Sequence, residues 1–498
     1  MKFVLKIAFL FVLTFSLGSL FSCKKDQVIT DASAMLEFSQ DSILFDTVFT
    51  KIGSATQNFR IRNKHNKIIK ISSITLQGGS ASAFKINVDG VPGSSWSDLE
   101  IAPNDSMYVF VQVNVDPTNS NSPVIISDAL MFQVNGNQQK LPLEAWGQDA
   151  YYHRPDSAIH FKDGTYFAYS VANAVPNSYT KVGDEFVWKN DKPHVIYNYL
   201  VVDEGQKLKI QENTKVYLNY KAGLWVFAGG QLQVLGKKNQ EVIFQGARRE
   251  KDWADEPGQW DRIWINEGSD NNVIDYAIIK NGFIGVQCEF MGEDTTQKKW
   301  QLTLTNTKIQ NMSKWGLYCL YFKVFAGNTI ISNCQEHSVN IALGGAYSFI
   351  HCTFSNFWNK SKPREKPTLN LNNYSTSQIV PLNAYFGNCI IDGKLSNEVN
   401  IDIKDDPLYK PVYSFSNSWL KTTNDVSTAN YINVRADKNT SLNYKDVDKY
   451  DFEPLSSENR VKGFVHANAT ADALKFPLDL NAISRNTTSI SVGAIEVK

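Results

Sequence analysis

The sequence lacks an excess of charge of either sign. Of its 498 residues, 50 are Lys or Arg and 50 are Asp or Glu, so the formal net charge at pH 7 is zero. A protein that binds a nucleic-acid backbone needs a concentrated positive surface to attract the phosphates. We therefore expect no nucleic acid among the partners of this protein.

The sequence also has few cysteines, and their spacing forms no ligand motif. No two of its six cysteines are separated by two residues, as zinc and redox motifs require. Cys23 belongs to the N-terminal segment, and the five that remain are an odd set, which argues against a disulfide framework. We expect these five to be small buried hydrophobic residues: Cys288, Cys319, Cys334, Cys352 and Cys389.

Only one long apolar run is present, and it lies at the N-terminus. Lys2 and Lys6 accompany a run from Phe3 to Leu20, which is the pattern of a secretory signal peptide. No later stretch approaches the roughly 20 apolar residues that a spanning helix needs. The run ends in Leu20-Phe21-Ser22-Cys23, which resembles the lipobox of bacterial lipoproteins.

The lipobox resemblance implies that residues 1–22 are removed and that Cys23 is acylated. Each buried methylene of an acyl chain adds about 0.8 kcal/mol of membrane affinity, so two or three chains attach a protein stably to a lipid bilayer. Lys24 follows Cys23, whereas an aspartate there is typical of inner-membrane retention. We expect a Bacteroidetes-like outer-membrane lipoprotein, and both a periplasmic and a surface-facing orientation stay open.

A first domain is expected over residues 36–149, after a linker at 23–35. Short runs of alternating apolar and polar residues, separated by turn residues, predict an antiparallel β-sandwich. The order of the pieces resembles the immunoglobulin-like modules related to cilia and spindle proteins, and that resemblance implies a spacer or binding unit. The clearest predicted strands are Gln57–Asn63, Ile68–Leu76, Met107–Val115 and Ala129–Val134.

An internal repeat of six residues predicts the fold of the second half of the chain. The fourth residue of each hexamer is Ile or Phe and the second is small, so both are expected to point inward from a strand. The fifth residue is polar and is expected to face outward. The sixth is Asn or Gly, which tolerate the left-handed backbone of a sharp turn. The aligned hexamers are Tyr276–Asn281, Asn306–Asn311, Asn328–Asn333, His351–Asn356 and Asn388–Gly393.

The spacing of the hexamers is that of a stacked parallel fold. Asn311, Asn333 and Asn356 follow one another at steps of 22 and 23 residues, which suits one coil of a parallel β-helix. The chain from 195 to 400 therefore resembles the right-handed parallel β-helix proteins of the pectin-lyase-like superfold. The predicted fold class is all-β. We expect a connector and N-terminal cap at 150–194, and C-terminal coils and a cap at 401–498.

The densest cluster of candidate functional residues lies between 248 and 264. Carboxylates can act as acid and base, arginines can bind uronates, and indoles can stack on sugar rings. The preferred interpretation is still a charged loop that leads into a strand whose aromatic residues pack on neighbouring coils. The catalytic candidates are Asp255, Glu256, Asp261 and Arg262, and the binding candidates are Trp253, Trp260, Trp264, Arg248 and Arg249.

No metal site or cofactor is expected, although calcium is considered at one acidic cluster. Asp402, Asp405 and Asp406 offer the oxygen ligands that calcium prefers. Their spacing does not match an EF-hand loop, so a solvated turn is the preferred interpretation.

Three hypotheses of function remain from the sequence. The leading one is an envelope lipoprotein that binds glycans or other envelope polymers without catalysis. The second is a polysaccharide lyase or glycoside hydrolase acting on an acidic polysaccharide, because the β-helix superfold includes such enzymes, although a fold does not fix a function. The third is an adhesin or a structural surface protein.

Overall fold

A computed structural model describes residues 27–498, apart from 118–119, 122, 162–163, 174, 176, 291–299, 361 and 409. The expected signal peptide and Cys23 lie outside the described residues. The chain divides into two compact units, residues 1–149 and 150–498, and the regular secondary structure of both is nearly all β-strand. In the part of the chain that is described, no helix has the length and apolar character needed to cross a membrane.

The first unit consists of two sheets. Its strands are β1 (Val28–Ile29), β2 (Glu37–Phe38), β3 (Ile43–Phe49), β4 (Gln57–Arg62), β5 (Ile68–Leu76), β6 (Phe84–Val88), β7 (Val91–Gly93), β8 (Ser95–Ile101), β9 (Ser106–Val113), β10 (Val124–Val134) and β11 (Asn137–Gln148). A short 3-10 turn spans Gly79–Ala81. Strands therefore lie at each of the four segments in which the alternating pattern predicts them.

The two sheets of the first unit share one hydrophobic core. One sheet has the order β1-β5-β10-β11-β3 with β8 beside β5, and the other has the order β2-β4-β9-β6-β7. Alternation of buried and more exposed residues is clear in the longer strands, as in β9, where every second side chain from Met107 to Val113 contributes to the core. Ile43 and Leu130 from the first sheet join Phe59 and Val109 from the second in the same cluster.

The second unit contains the remaining strands and one α-helix. The strands are β12 (Tyr151–His153), β13 (Ser157–Phe161), β14 (Gly164–Ser170), β15 (Tyr179–Val182), β16 (Glu185–Trp188), β17 (His194–Ile196), β18 (Tyr199–Val202), β19 (Lys207–Gln211), β20 (Lys215–Leu218), β21 (Gly223–Val226), β22 (Gln231–Leu235), β23 (Val242–Gly246), β24 (Ile263–Ile265), β25 (Asn272–Asp275), β26 (Ala277–Lys280), β27 (Ile284–Glu289), β28 (Leu302–Thr305), β29 (Lys308–Gln310), β30 (Trp315–Gly327), β31 (Ile330–Ser332), β32 (Val339–Ile350), β33 (Thr353–Asn356), β34 (Leu369–Asn372), β35 (Leu382–Gly387), β36 (Ile390–Gly393), β37 (Val399–Asp402), β38 (Val412–Ser416), β39 (Trp419–Lys421), β40 (Tyr431–Ile432), β41 (Arg435–Asp437), β42 (Tyr444–Asp446) and β43 (Asp451–Pro454). The helix α1 is Ala467–Lys475, and 3-10 turns span Val171–Asn173, Lys251–Trp253, Val447–Lys449 and Asn459–Val461.

Two long sheets organise the second unit. The first has eleven strands in the order β12-β17-β20-β23-β26-β29-β31-β33-β36-β39-β41, and every neighbouring pair is parallel. The second has nineteen strands, in which parallel pairs follow two antiparallel hairpins, β13–β14 and β15–β16. Each strand pairs with its counterpart in the next repeat, an arrangement compatible with a parallel β-helix.

The inward positions of the hexamer repeat are confirmed. The fourth residues, Ile279, Ile309, Ile331, Phe354 and Ile391, are all fully buried in one continuous core. The small second residues are buried as well, from Ala277 and Thr307 to Cys389. The five cysteines expected to be buried are buried, and none of them forms a disulfide within the described residues.

The outward position of the repeat is predicted correctly only in part. Lys280 and Gln310 are half-buried, but Ser332, Ser355 and Asp392 are fully buried, so the expectation of solvent contact is wrong for these three. For Ser355 and Asp392 the cause is a distant segment, since the hydroxyl of Tyr444 lies 2.9 Å from the hydroxyl of Ser355 and 3.0 Å from Oδ2 of Asp392.

The C-terminal residues cover the outer face of the eleven-stranded sheet. Ile330, Ile390 and Trp419 project from that sheet into a separate cluster, where they meet apolar residues of the C-terminal segment 442–497. The backbone N–H of Ala494 donates to Thr353 Oγ1 at 2.9 Å. This segment therefore adds a second, smaller core outside the main one.

Asparagines occupy the sharp turns that begin the strands of the eleven-stranded sheet. The first residues of successive repeats have positive φ, as at Asn328 (49°) and Asn388 (53°). Asn328 Nδ2 donates to Asn306 Oδ1 at 3.1 Å, so neighbouring side chains bond along the stack. The left-handed turn expected at the sixth residue occurs at Asn281, Asn311 and Asn333, whereas in the later repeats the strand continues through that position.

Candidate functional site

The charged loop after β23 is held by the asparagine turns. Asn281 Nδ2 donates to the carbonyl of Ala254, and Asn311 Nδ2 donates to the carbonyl of Asp255, both at 2.8 Å. The buried amide of Gln259 donates to two further carbonyls of the loop. The backbone of the loop is therefore fixed by hydrogen bonds to structural residues.

Asp255 and Glu256 are exposed on this loop. Their carboxylates accept no hydrogen bond from any described residue, and both interact electrostatically with Tyr450 on the C-terminal segment. Burial, followed by the negative charge of these two carboxylates, raises the pKa of Tyr450. These two candidates therefore face the side of the unit that the C-terminal segment covers.

Arg248, Arg249 and Trp253 form two cation–π contacts at the same loop. The Arg248 guanidinium lies 3.9 Å from the centroid of the Trp253 ring, which is 37% exposed. The Arg249 guanidinium lies 4.9 Å from the ring of Tyr217 and donates a hydrogen bond to its hydroxyl. Both arginines are thus engaged with aromatic neighbours.

Trp260 is a correction to the sequence prediction. Its ring is 1% exposed, lies in the main core, and donates its indole N–H to the carbonyl of Lys280 at 2.8 Å. A residue with no accessible face cannot stack on a sugar ring, so Trp260 is a packing residue. The cause is its position before β24, where the chain turns its side chain inward.

Asp261 and Arg262 form an ion pair beside Tyr199. Arg262 contacts Asp261 Oδ1 through Nε at 3.0 Å and through its terminal nitrogen at 2.9 Å, and Tyr199 donates its hydroxyl to Asp261 Oδ2. Arg262 also donates to Gln287 Oε1. Burial is the largest single effect and lowers the pKa of Arg262, but the charge and hydrogen bond of Asp261 together with Tyr199 and the charge of Glu289 outweigh it, so that pKa is raised. Both oxygens of Asp261 are engaged, which does not suit a general acid or base.

Trp264 lies on the outer face of the nineteen-stranded sheet. Its ring stacks on that of Trp225, with centroids 4.7 Å apart and ring planes inclined by 11°. Trp225 and Trp264 are register partners in neighbouring parallel strands, and Trp225 is buried while Trp264 is half-buried. Trp264 is therefore a partly exposed indole that stacks on a second indole, with the Arg262 guanidinium 5.8 Å from the centroid of its ring.

Trp264 belongs to a row of register partners that we call the outer strip. Six inter-strand steps of about 4.8 Å give this strip a length of roughly 29 Å. Its half-buried members, Trp264, Tyr318, Asn370 and Asn400, expose part of an aromatic ring or an amide, while Trp225, Gln287 and Asn340 are buried. The members in order are Trp225, Trp264, Gln287, Tyr318, Asn340, Asn370 and Asn400.

Contacts along the outer strip order its side chains. Asn370 Nδ2 donates to Asn340 Oδ1 at 2.9 Å, and Asn400 Nδ2 donates to Asn370 Oδ1 at 2.8 Å. The ring of Tyr318 stacks on Trp315 at 4.1 Å. Burial, followed by the charge of Glu289, raises the pKa of Tyr318, so its hydroxyl stays protonated. The strip thus offers half-buried aromatic side chains, amides ordered by hydrogen bonds and a tyrosine hydroxyl.

The structure separates the predicted candidates into two groups. Asp261, Arg262 and Trp264 adjoin the outer strip, whereas Asp255, Glu256, Arg248, Arg249 and Trp253 lie on the charged loop. Sequence reasoning missed Gln287, Tyr318 and the three asparagines of the strip. The signal was present, because each follows an inward aliphatic residue that aligns with Ile263 from one repeat to the next.

The acidic cluster considered for calcium is engaged in other contacts. Asp402 accepts hydrogen bonds from the hydroxyl of Tyr374 at 2.9 and 3.0 Å and from Asn372 at 3.4 Å. Asp406 accepts from the backbone of Leu408. Across the described ranges, no group of three or more His, Cys, Asp or Glu side chains is arranged to hold a metal ion.

Comparison with known proteins gives little information about the family or activity of this chain. No family model and no curated protein matches the chain. One solved structure with a detectable similarity is a family 123 glycoside hydrolase from Clostridium perfringens, described for glycolipid glycan hydrolysis, at 8% identity and a TM-score of 0.17. The match covers 23% of this chain and 26% of that enzyme, so the chain spans about a quarter of its length. Nothing about fold or activity follows from a similarity this low.

Proposed function

We propose that this protein is an envelope lipoprotein whose second unit binds glycans on the outer strip without catalysing a reaction. The observation behind the proposal is the stacked pair Trp225 and Trp264 at one end of an ordered row of amides and a tyrosine. Aromatic faces with a few fixed polar groups are what a sugar-binding surface needs, because sugars present both apolar faces and hydroxyls.

In this proposal the second unit is a right-handed parallel β-helix and the first unit an immunoglobulin-like module. The in-register parallel pairs of both long sheets support the first assignment, and two sheets around one core support the second. The lipid on Cys23 then keeps the protein at the outer membrane, where polysaccharides are available as partners.

Binding is preferred to catalysis because of how the carboxylates are placed. Asp261 is bound by Arg262 and Tyr199. Asp255 and Glu256 lie on the charged loop beside Tyr450, away from the contacts of Asp261. A glycoside hydrolase needs two carboxyl groups that flank the same scissile bond. Asp261 and Glu289 both adjoin the outer strip, but Glu289 also has both oxygens engaged, since it accepts hydrogen bonds from Asn266 and Gln287.

Affinity electrophoresis against neutral and acidic polysaccharides tests the binding site. We expect at least one polysaccharide to retard the protein, and Trp264→Ala to weaken retention about tenfold or more, because a central Trp often dominates a binding surface. Trp253→Ala is the matched control, since this exposed indole lies on the charged loop. Loss of binding in the control alone would move the site to that loop, and no retention by any polysaccharide would refute the proposal.

Two further measurements address catalysis and the anchor. Incubation with acidic polysaccharides should release neither unsaturated uronates nor new reducing ends; release that Asp261→Ala abolishes would establish an enzyme instead. Cys23→Ser should move the protein from the membrane fraction to the soluble fraction, and unchanged fractionation would contradict the lipid anchor.

A further inference from the structure

A cavity of about 330 Å³ opens on the second unit, away from the contacts that define the outer strip. It lies where β30, β32, β35 and β38 pass one another in successive repeats, with Phe290 at its rim. Its volume is within the range of about 300–1,000 Å³ that is typical of small-molecule sites. The space is therefore large enough for a compact organic ligand.

The backbone around this cavity departs from regular strand geometry. The pairing of β30 with β32 shifts register between Cys319 and Leu320, and the next residue, Tyr321, has φ of 50°. Gly345 has φ of 111°, and a Cβ there would lie 2.5 Å from the carbonyl oxygen of Phe322. Register shifts and left-handed backbone at bulky residues cluster at functional sites, because other interactions must compensate for their energy.

The lining of the cavity combines apolar walls with two positive charges. Phe290, Tyr321 and Leu382 supply aromatic and aliphatic surface, and Lys323 and Lys410 supply ammonium groups. Among the lining residues that the structure describes, none is Asp or Glu. Among the described residues, neither ammonium group takes part in a hydrogen bond or an ion pair. An unneutralised pair of lysines beside apolar walls attracts an anion that also has apolar surface.

We propose that this cavity binds a small amphipathic anion, with its carboxylate or phosphate group between Lys323 and Lys410 and its apolar ring against Phe290, Tyr321 and Leu382. This site is separate from the proposed glycan surface, since it shares no residue with the outer strip. A ligand with a carboxylate and a ligand with a phosphate can both bind in this way, because each ammonium acts as a point charge with three donors.

Isothermal titration with three probes tests the chemistry of the site. The probes are 1-naphthoate, the neutral analogue 1-naphthamide, and inorganic phosphate. We expect 1-naphthoate to bind one site per chain, and both of the others to bind about tenfold more weakly, because each lacks either the charge or the apolar ring. No binding of 1-naphthoate at millimolar concentration, or equal binding of the amide, would overturn the proposal.

Three substitutions locate the site. Lys323→Met and Lys410→Met should each weaken 1-naphthoate binding about three- to tenfold, because each removes one partly exposed ion pair with the ligand. Lys438→Met is the matched control, since this exposed lysine lies outside the cavity lining. Unchanged thermal unfolding shows that the variants fold. Anomalous scattering from 4-bromo-1-naphthoate in a crystal gives the position directly, and density away from Lys323 and Lys410, or equal affinity in all three variants, would also overturn the proposal.

Discussion

The buried ion pair between Arg364 and Glu398 allows a sharp test of the packing in the second unit. Their side chains are 3% and 0% exposed, and the guanidinium binds both carboxylate oxygens, at 2.5 and 2.8 Å. Glu398 also accepts hydrogen bonds from the backbone and hydroxyl of Thr368 and from the backbone of Leu395. Arg364 in turn donates to the carbonyls of Asn356 and Lys366.

Arg364→Met removes the cation and leaves Glu398 charged and buried. Breaking a buried pair by removing one partner destabilises proteins by about 3–5 kcal/mol, mainly because the remaining charge has lost its counterion. The carbonyls of Asn356 and Lys366 also lose one hydrogen bond each. We therefore expect the free energy of unfolding of the second unit to fall by about 4 kcal/mol.

The double variant Arg364→Met with Glu398→Gln tests the stated cause. The oxygen of a neutral amide can still accept both hydrogen bonds from Thr368, which go to one carboxylate oxygen, although the amide nitrogen cannot accept the bond from Leu395. The amide is nevertheless far less costly to bury than a carboxylate. We expect the double variant to be more stable than Arg364→Met alone. Arg248→Met is the matched control, because the Arg248–Glu250 pair joins the same residue types at 46% and 32% exposure and should contribute less than about 1 kcal/mol.

Urea unfolding at pH 7, followed by tryptophan fluorescence, measures these differences as shifts of the transition midpoint. A loss below about 1 kcal/mol for Arg364→Met would refute the argument from burial. A double variant no more stable than Arg364→Met would show that the packing volume of the arginine matters and that the uncompensated charge does not.

Three other outcomes can be measured on the same protein. Asn388→Ala should be about 1 kcal/mol less stable than Asn388→Gly, because both lose the same side-chain bonds but only glycine tolerates φ of 53° without strain; equal urea midpoints would contradict this. Burial lowers the pKa of His194 from 6.5 to about 4. The contribution of its neutral imidazole to the free energy of unfolding is therefore intact above about pH 6.5 and is lost, by roughly 3 kcal/mol, as the pH falls to about 4. His194→Gln should reduce this pH dependence, and an unchanged slope of stability against pH would refute it. Arg485→Met should cost about 3 kcal/mol, because this buried guanidinium donates to Asn328 at 2.7 Å and pairs with Glu496 at 3.5 Å; a thermal midpoint equal to that of the native protein would refute this.

The repeat in the sequence predicted the interior of the second unit well. Ile309 and Ile331 lie inward because each repeat packs on the next, and the residues that determine this are only about one repeat apart in the chain. Alternation within a strand then decides which side chains face inward. Local patterns of this kind are visible in a single sequence.

Contacts between distant parts of the chain were not predictable in the same way. Tyr444 and Asp392 are 52 residues apart, and Arg485 and Asn328 are 157 apart. The C-terminal residues that cover the eleven-stranded sheet follow no period, so nothing local distinguishes Asp392 from an exposed aspartate. The pattern therefore predicted correctly that this position is polar, but wrongly that it is exposed to solvent.

The residues of the candidate site were likewise predicted only in part from the sequence. Trp260 and Trp264 look equivalent in the sequence, but β24 begins only at Ile263, so alternation fixes the direction of Trp264 and not that of Trp260. The row from Trp225 to Tyr318 becomes visible once Leu224, Ile263, Val286 and Leu317 are aligned as inward residues. Without that alignment, the high density of charged residues favoured the loop at 248–257 as the candidate site.

The covering of the eleven-stranded sheet by the C-terminal segment also sets the order in which the protein can be completed. Ribosomal synthesis supplies the strands of this sheet first, and Ile330, Ile390 and Trp419 stay open to water until residues 442–497 arrive. Contacts of such long sequence separation form late and slowly. A chain truncated before residues 442–497 would leave this apolar surface permanently exposed to water. The C-terminal segment is therefore as important for solubility as the repeats themselves.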